Sequence, residues 1–474
     1  MSKKIMRETH SIFNFSLDEE ILVQFSFANV LVETVDSSSE LLKKEIRISI
    51  QEKVEIFDSA HESARYSRPK LLVALGVLSF ITGRNFSVYE VTSSSSSVSS
   101  IKENKIKDVK CIIEGDDYSN QLEAICNSIN DETGSKNTLF FSLLDRWRKA
   151  QYQLIESEGE GLFEDESLLS FFHILELLVS EYQDEQKSEA IEKIDMFINE
   201  LMSATFKYRG PSLNEKINEK NKVLKDILLS GDLRSIGSKI NYMFEKQGLL
   251  DERVQSLLQE FIAARNAIAH GRQVFRESLI WPLPPFFMLH ANHFNLGYFI
   301  CVLTARSIAC HYKLDLWKSE WENILQKLPP PLDVIKSFIK NKHYQGLSTE
   351  RFYSGAIDHV TPASIVDAYI KGKIKFPDFE SCFIEHINNI NLTCENTTGT
   401  DEPLYILMIL ADSESKEISE YSKKNIQSIY DNESFFMPNI KDYLRFVEHY
   451  NIKLNWFREW IVKGMRYEPK QNNT

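Results

Sequence analysis

Val254-Gln-Ser-Leu257-Leu258-Gln-Glu-Phe261-Ile262-Ala-Ala-Arg265-Asn266-Ala-Ile-Ala-His270-Gly271 places apolar residues at 254, 257, 258, 261 and 262, the three- and four-residue spacing that lines one face of an α-helix. The helix is expected to start at Asp251, after the Gly248-Leu-Leu turn, and to end against Gly271. Arg265 falls on the continuation of the apolar stripe. A buried, unpaired guanidinium is costly, so this side chain must meet a carboxylate, backbone carbonyls or an anion entering a cleft. Glu260 or an acid from the preceding helices would satisfy the first case. Asn266 and His270 are four residues apart and lie above one another on an adjacent face.

The helical pattern extends in both directions from this stretch. Phe140, Leu143, Leu144, Trp147 and Ala150 keep near-helical spacing, and similar stripes recur over Leu168–Leu178 and Ile191–Met202. Gly210-Pro211 breaks the bundle once, and shorter helices are expected over Leu213–Gln247. Trp281-Pro-Leu-Pro-Pro285 forms a stiff connection to a long apolar helix from Phe286 to about Lys313. Pro329-Pro-Pro331 marks a boundary, beyond which helical stretches alternate with loops rich in Asn, Thr and Asp, notably Asn391–Glu402. The first third differs. Ile46, Ile48 and Ile50 alternate with Arg47, Ser49 and Gln51 as in a half-buried strand that Val54 and Ile56 continue. Ile21–Phe27, Phe86–Thr92 and Val109–Ile113 read as further strands. Pro69 is expected in the first turn of a helix running to Thr82 and capped by Gly83. The serine run Ser93–Ser97 reads as a flexible surface loop. The fold expected is mainly α: a strand-containing α/β domain over 1–130, an all-helical domain over 135–328 and a helical C-terminal domain over 332–474.

Composition narrows the class. A chain of 474 residues with 43% hydrophobic and 26% charged residues is an ordinary globular protein, neither disordered nor fibrous. Its longest apolar run, Leu71–Ile81, is about half the roughly 20 residues a membrane span needs. The N-terminal MSKKIMRETH has no apolar segment behind it, so no secretory signal is expected and a cytoplasmic location is. Cys111, Cys126, Cys301, Cys310, Cys382 and Cys394 are scattered without a C-x-x-C, as suits reduced thiols and no zinc site. The net charge of −13 argues against a general nucleic-acid binder, but the charge is uneven. Residues 151–200 hold fourteen acids and two lysines, whereas Phe261–Lys313 holds five bases (Arg265, Arg272, Arg276, Arg306 and Lys313) and one acid.

An Arg can grip a phosphate through its planar fork of donors, and a His can move protons near neutral pH, so together they suit RNA cleavage without a metal or cofactor. The string Arg265-Asn266-Ala-Ile-Ala-His270-Gly271 resembles the R-x(4–6)-H signature of the HEPN superfamily, in which a polar residue follows the Arg. The wider layout, a strand-containing domain before a helical one, resembles the ApeA-like HEPN proteins of bacterial abortive infection. The signature covers seven residues and its helical context Ser135–Leu328; nothing in the C-terminal region resembles a known family. The resemblance implies a metal-independent endoribonuclease of antiphage defence, with tRNA the first candidate substrate. It implies 2′-OH attack giving 2′,3′-cyclic phosphate and 5′-OH ends, with Arg265, Asn266 and His270 as catalytic residues. It also implies pairing of two HEPN domains; with one motif per chain, that means a homodimer. A phage-derived trigger and an RNA surface that includes Arg272, Arg276 and Arg306 complete the expectation. The alternative is a non-catalytic HEPN interaction module in which Arg265 is structural.

Other constellations carry less. His290 and His293 share a helix face without a third ligand, and Cys310-His311 is weaker still, so no metal is expected. Marks of ATPases, dinucleotide enzymes, zincins and serine hydrolases do not occur. Tyr443, Phe446 and Tyr450, then Trp456, Phe457 and Trp460, keep helical spacing and read as core. Lys463, Arg466 and Lys470 read as a solvated end. The acidic stretch Glu156–Glu200 reads as a solvated face, with occupation of a basic cleft in a resting state as the alternative.

Overall fold

The computed structural model describes residues 4–14, 21–36, 44–88, 91–98, 108–130, 135–156, 164–230, 235–270, 296–384, 386, 402–431, 441, 444, 447–448 and 450–467. Mostly helical, it begins with an antiparallel sheet built from β1 (Lys4–Asn14), β2 (Ile21–Phe27), β3 (Val30–Asp36), β4 (Lys44–Glu55), β5 (Val91–Val98), β6 (Lys110–Ile113) and β7 (Asp116–Asp117). The strand order is β5-β1-β4-β3-β2-β6-β7, and every neighbouring pair is antiparallel. Ile46, Ile48 and Ile50 of β4 are buried as their alternation predicts, while Ile56 lies past the strand end and is exposed. Ser49 and Gln51 are buried too, because β4 is an inner strand flanked by β1 and β3, and the β1 side chains His10 and Glu8 lie against them. There Ser49 Oγ meets His10 Nδ1 at 2.8 Å. Ala28 and Asn29 turn β2 into β3 with φ of 42° and 64°, the left-handed pair that a tight hairpin requires.

Three N-terminal expectations are corrected. The serine run is a strand, not a loop: in β5, Ser93 pairs with Ile12, Ser94 with Ser11, Ser95 with His10 and Ser96 with Thr9 of β1. Serine has little strand preference, so the backbone ladder to β1 decides the conformation. Phe86 and Ser87 lie outside any strand. The helix α1 spans Ala60–Thr82 and carries Pro69 inside it. It starts earlier than Pro69 because Ser59 and Glu62 form a reciprocal capping box, with Glu62 Oε2 accepting from Ser59 N at 2.7 Å. Gly83 ends it at φ 70°, a left-handed cap.

Helices follow: α2 (Ser119–Asn130), α3 (Ser135–Glu156), α4 (Glu164–Val179), α5 (Gln183–Glu200), α6 (Gly210–Ser230), α7 (Ile236–Lys246), α8 (Glu252–Ala269) and α9 (Leu296–His311). Between α5 and α6, Leu201–Thr205 forms a π-helical turn. Two compact units emerge. One comprises Met1–Leu250, Ile262–Gly271 and Leu296–Trp321; the other includes Asp251–Phe261 and Glu322–Thr474. Residues 130 and 135, where one sequence-expected domain ends and the next begins, both lie inside the first unit. There α1 crosses α3 so closely that a Cβ on Gly76 would sit 3.2 Å from Leu144 Cβ. The Phe80 and Trp147 rings meet edge to face at 5.5 Å, and the Trp147 Nε1–H donates to the Cys301 carbonyl of α9 at 3.2 Å.

The second unit has its own core. Phe338, Phe352, Phe379, Ile406, Leu407, Met408, Phe457 and Trp460 are buried in it, so the aromatic spacing at Phe457 and Trp460 does mark core. Helices over Leu332–Lys340, Thr349–Tyr353, Phe376–Phe383, Glu402–Leu410 and Asn455–Val462 supply these residues. Pro331, last of the triple proline, stands at the N-cap of Leu332–Lys340. Tyr443, Phe446 and 391–401 lie outside the described residues. Among those described, no helix is long and apolar enough to cross a membrane; the Leu71–Ile81 run lies in α1, buried from Ala74 onward.

Candidate active site

Asp251 fixes the start of α8 by accepting from the Val254 N–H at 2.8 Å through Oδ1. Val254, Leu257, Leu258 and Phe261 are buried along it, as the stripe predicts. Its last turns belong to the first unit and carry Arg265, Asn266 and His270. Arg265 is only partly buried, its side chain 27% exposed. Nη2 donates to Glu176 Oε1 of α4 at 2.6 Å, and Nη1 donates to Asn266 Oδ1 at 3.1 Å. Its guanidinium lies over the Phe172 ring, 5.9 Å from the centroid, within cation–π range. The carboxylate that Arg265 was expected to need therefore comes from α4 and not from Glu260. Nε is buried with no acceptor.

Asn266 and His270 are both exposed. The helix ends here, with the His270 N–H still donating to the Asn266 carbonyl at 3.1 Å. The imidazole makes no hydrogen bond or ion pair among the described residues. Helical geometry sets how these three side chains can cooperate. At 3.6 residues per turn, Asn266 and His270 point about 40° apart, but Arg265 and His270 point about 140° apart and are separated by about 7.5 Å along the axis. One copy of this helix thus offers an Arg–Asn grip with an exposed imidazole one turn further on.

The remaining sequence-expected residues fall elsewhere. Arg306, on α9, donates through Nη1 to the carbonyls of Leu314 and Leu316 at 3.3 and 2.8 Å, closing the turn after that helix. Gly271, Arg272, Arg276, His290 and His293 lie outside the described residues. His311 faces Tyr182, Nδ1 to Oη 3.1 Å. Among the described residues, no group of three or more His, Cys, Asp or Glu is placed to hold a metal. Cys111, Cys126, Cys301, Cys310 and Cys382 are unbridged, and burial pushes the Cys111, Cys126 and Cys382 thiols up to about 12. Part of the acidic stretch forms α5, where Glu185 and Glu189 hold Lys246 at 2.9 and 2.5 Å and Asp195 holds Lys225 at 2.7 Å.

Sequence reading passed over α4 and α3. Phe172 and Glu176 are one turn apart on α4 and together seat Arg265. Between α3 and α4, Ser142, Asp145, Arg146, Lys149, Ser170 and His173 line a cleft of about 450 Å³. The available signal was Arg146-x-Arg148-Lys149, three bases in four positions next to the most acidic part of the chain. The chain matches no protein-family model, no curated protein and no solved structure.

Proposed function

We propose that this protein is a metal-independent endoribonuclease of the HEPN type that works as a homodimer on cellular RNA, tRNA first. The observation that carries the reading is the Arg265–Asn266 pair, joined at 3.1 Å beside an exposed His270 at the end of α8. Arg265 is held in place by Glu176, as suits a side chain that braces charge on a pentacoordinate phosphorus. The chain carries one such motif, so the paired arrangement that the HEPN resemblance implies calls for a second copy. Two imidazoles then divide the work. One accepts the proton of the attacking 2′-OH and the other protonates the leaving 5′-oxygen, giving 2′,3′-cyclic phosphate and 5′-OH ends. The helical segment that carries the motif is read as a HEPN bundle, and the biological role as abortive antiphage defence in the cytoplasm, released by a phage-derived trigger.

A second reading has its own support. The 2.6 Å ion pair between Arg265 and Glu176 is what a structural Arg would make in a non-catalytic HEPN interaction module. Expression of Arg265→Ala and His270→Ala beside the wild type, with end-mapping of cellular RNA during infection and at rest, separates the two. The nuclease reading expects cleavage with cyclic phosphate ends in wild type alone. RNA equally intact in all three sinks it, and an active species that is monomeric in light scattering sinks the shared site.

A further inference from the structure

The α3–α4 cleft lies outside the proposed catalytic trio, yet it adjoins it through α4. His173 lines the cleft and Glu176, which holds Arg265, comes three residues later, so about 4.5 Å of helix separates them. The charge inside the cleft is unbalanced. Asp145 is its sole acid and is already engaged, accepting from Lys149 Nζ at 2.5 Å and from Arg148 Nη2 at 2.9 Å. Arg146 is exposed and has no acidic partner among the described residues. Asp145 thus answers three bases within five residues, in a chain whose net charge is −13. Ser142 and Ser170 add hydroxyls, the latter already donating to Gln153 Oε1 at 2.9 Å. No Phe, Tyr or Trp lines the space, so it offers an anion charge and donors but no face on which a base would stack.

Resting on the nuclease reading, we infer that this cleft is a phosphate subsite. Arg146, Lys149 and His173 hold a backbone phosphodiester of the RNA away from the scissile bond and set the strand's path toward Arg265. Binding here is independent of base sequence, because only phosphate and ribose are addressed.

The test uses full-length protein and a fluorescein-labelled single-stranded RNA that is 2′-O-methylated throughout, so that it binds but cannot be cleaved. Fluorescence anisotropy across a salt series compares wild type, Arg146→Ala/Lys149→Ala and Arg146→Gln. The double variant is expected to weaken binding by about tenfold and to flatten the slope of log affinity against log salt by about 1.4, the loss of two phosphate contacts on a single strand. Arg146→Gln changes an exposed side chain that the fold does not use, and it is expected to weaken binding by about threefold and the slope by about 0.7. If Arg146→Gln and the folded double variant both bind within experimental error of wild type, the subsite is refuted, whatever cleavage shows. If they bind weakly while wild type never cleaves RNA, the subsite stands and the nuclease reading falls.

Discussion

Replacing Glu176 with Gln removes the charge that meets Arg265 at 2.6 Å and keeps the side chain's length. Two unit charges about 4 Å apart attract by roughly 4 kcal/mol at an effective dielectric of 20, but exposed pairs return only about 0.2–1 kcal/mol after solvation and side-chain entropy. With side chains 27% and 28% exposed, this pair belongs near the upper end of the exposed range, at about 1 kcal/mol. The Phe172 ring still lies beneath the guanidinium at 5.9 Å and retains about 0.5–1 kcal/mol of cation–π attraction. The variant should therefore fold, with its melting temperature lowered by about 2–4 °C. Activity should suffer more than stability. Once Glu176 no longer fixes one arm of the fork, Arg265 leaves its aligned position for part of the time, and RNA cleavage is expected to fall by about tenfold, the equivalent of 1.4 kcal/mol at the transition state. Circular dichroism melts and single-turnover cleavage of labelled tRNA read the two quantities separately. Unchanged cleavage in Glu176→Gln beside complete loss in Arg265→Ala would refute Glu176 as a positioning residue. Equal destabilisation by both variants with no effect on cleavage would make the pair structural.

Two further outcomes follow from α3. Burial alone would push the Asp145 carboxyl up, but hydrogen bonds from Lys149 and Arg148 outweigh it and hold the group below its ordinary value of 3.8; a depressed folded pKa adds stability that is full above the unfolded value and lost as pH falls through the folded one. Asp145→Asn should therefore be less stable than wild type at neutral pH, with the gap closing below about pH 4, and urea titrations at several pH values that show a constant gap would contradict this. Gly76→Val would press a Cβ and two methyl groups into α3, where the Cβ alone would stand 3.2 Å from Leu144 Cβ and 3.4 Å from its carbonyl carbon; a loss of about 1–3 kcal/mol is expected in denaturant unfolding, and no loss would mean that the helices can part at that point.

The sequence alone showed that the chain turns helical from about Ser135, and it placed Asp251 and the stripe of α8, because amphipathic spacing and capping are local properties of the chain. It also marked strands at Ile21–Phe27 and from Ile46 to Gln51, where apolar residues alternate, though it carried the second on to Ile56, past its end at Glu55. Tertiary structure decided what local preference leaves open. Ser93–Ser97 has almost no intrinsic bias toward a strand, and only the β1 ladder makes it one. Pro69 is a different case: the Ser59–Glu62 cap that starts α1 earlier is itself local, and its S-x-x-E spacing stands in the sequence. Arg265 announced a need for a partner by its place on an apolar stripe, but a lone charge on a helix cannot name the acid it will meet. Glu176 lies 89 residues away, and only the packing of α4 brings the two within hydrogen-bond distance. The same holds for the cleft: Arg146 and Lys149 are legible as bases, but their convergence with His173 depends on how α3 and α4 lie side by side, which spacing within either helix does not encode.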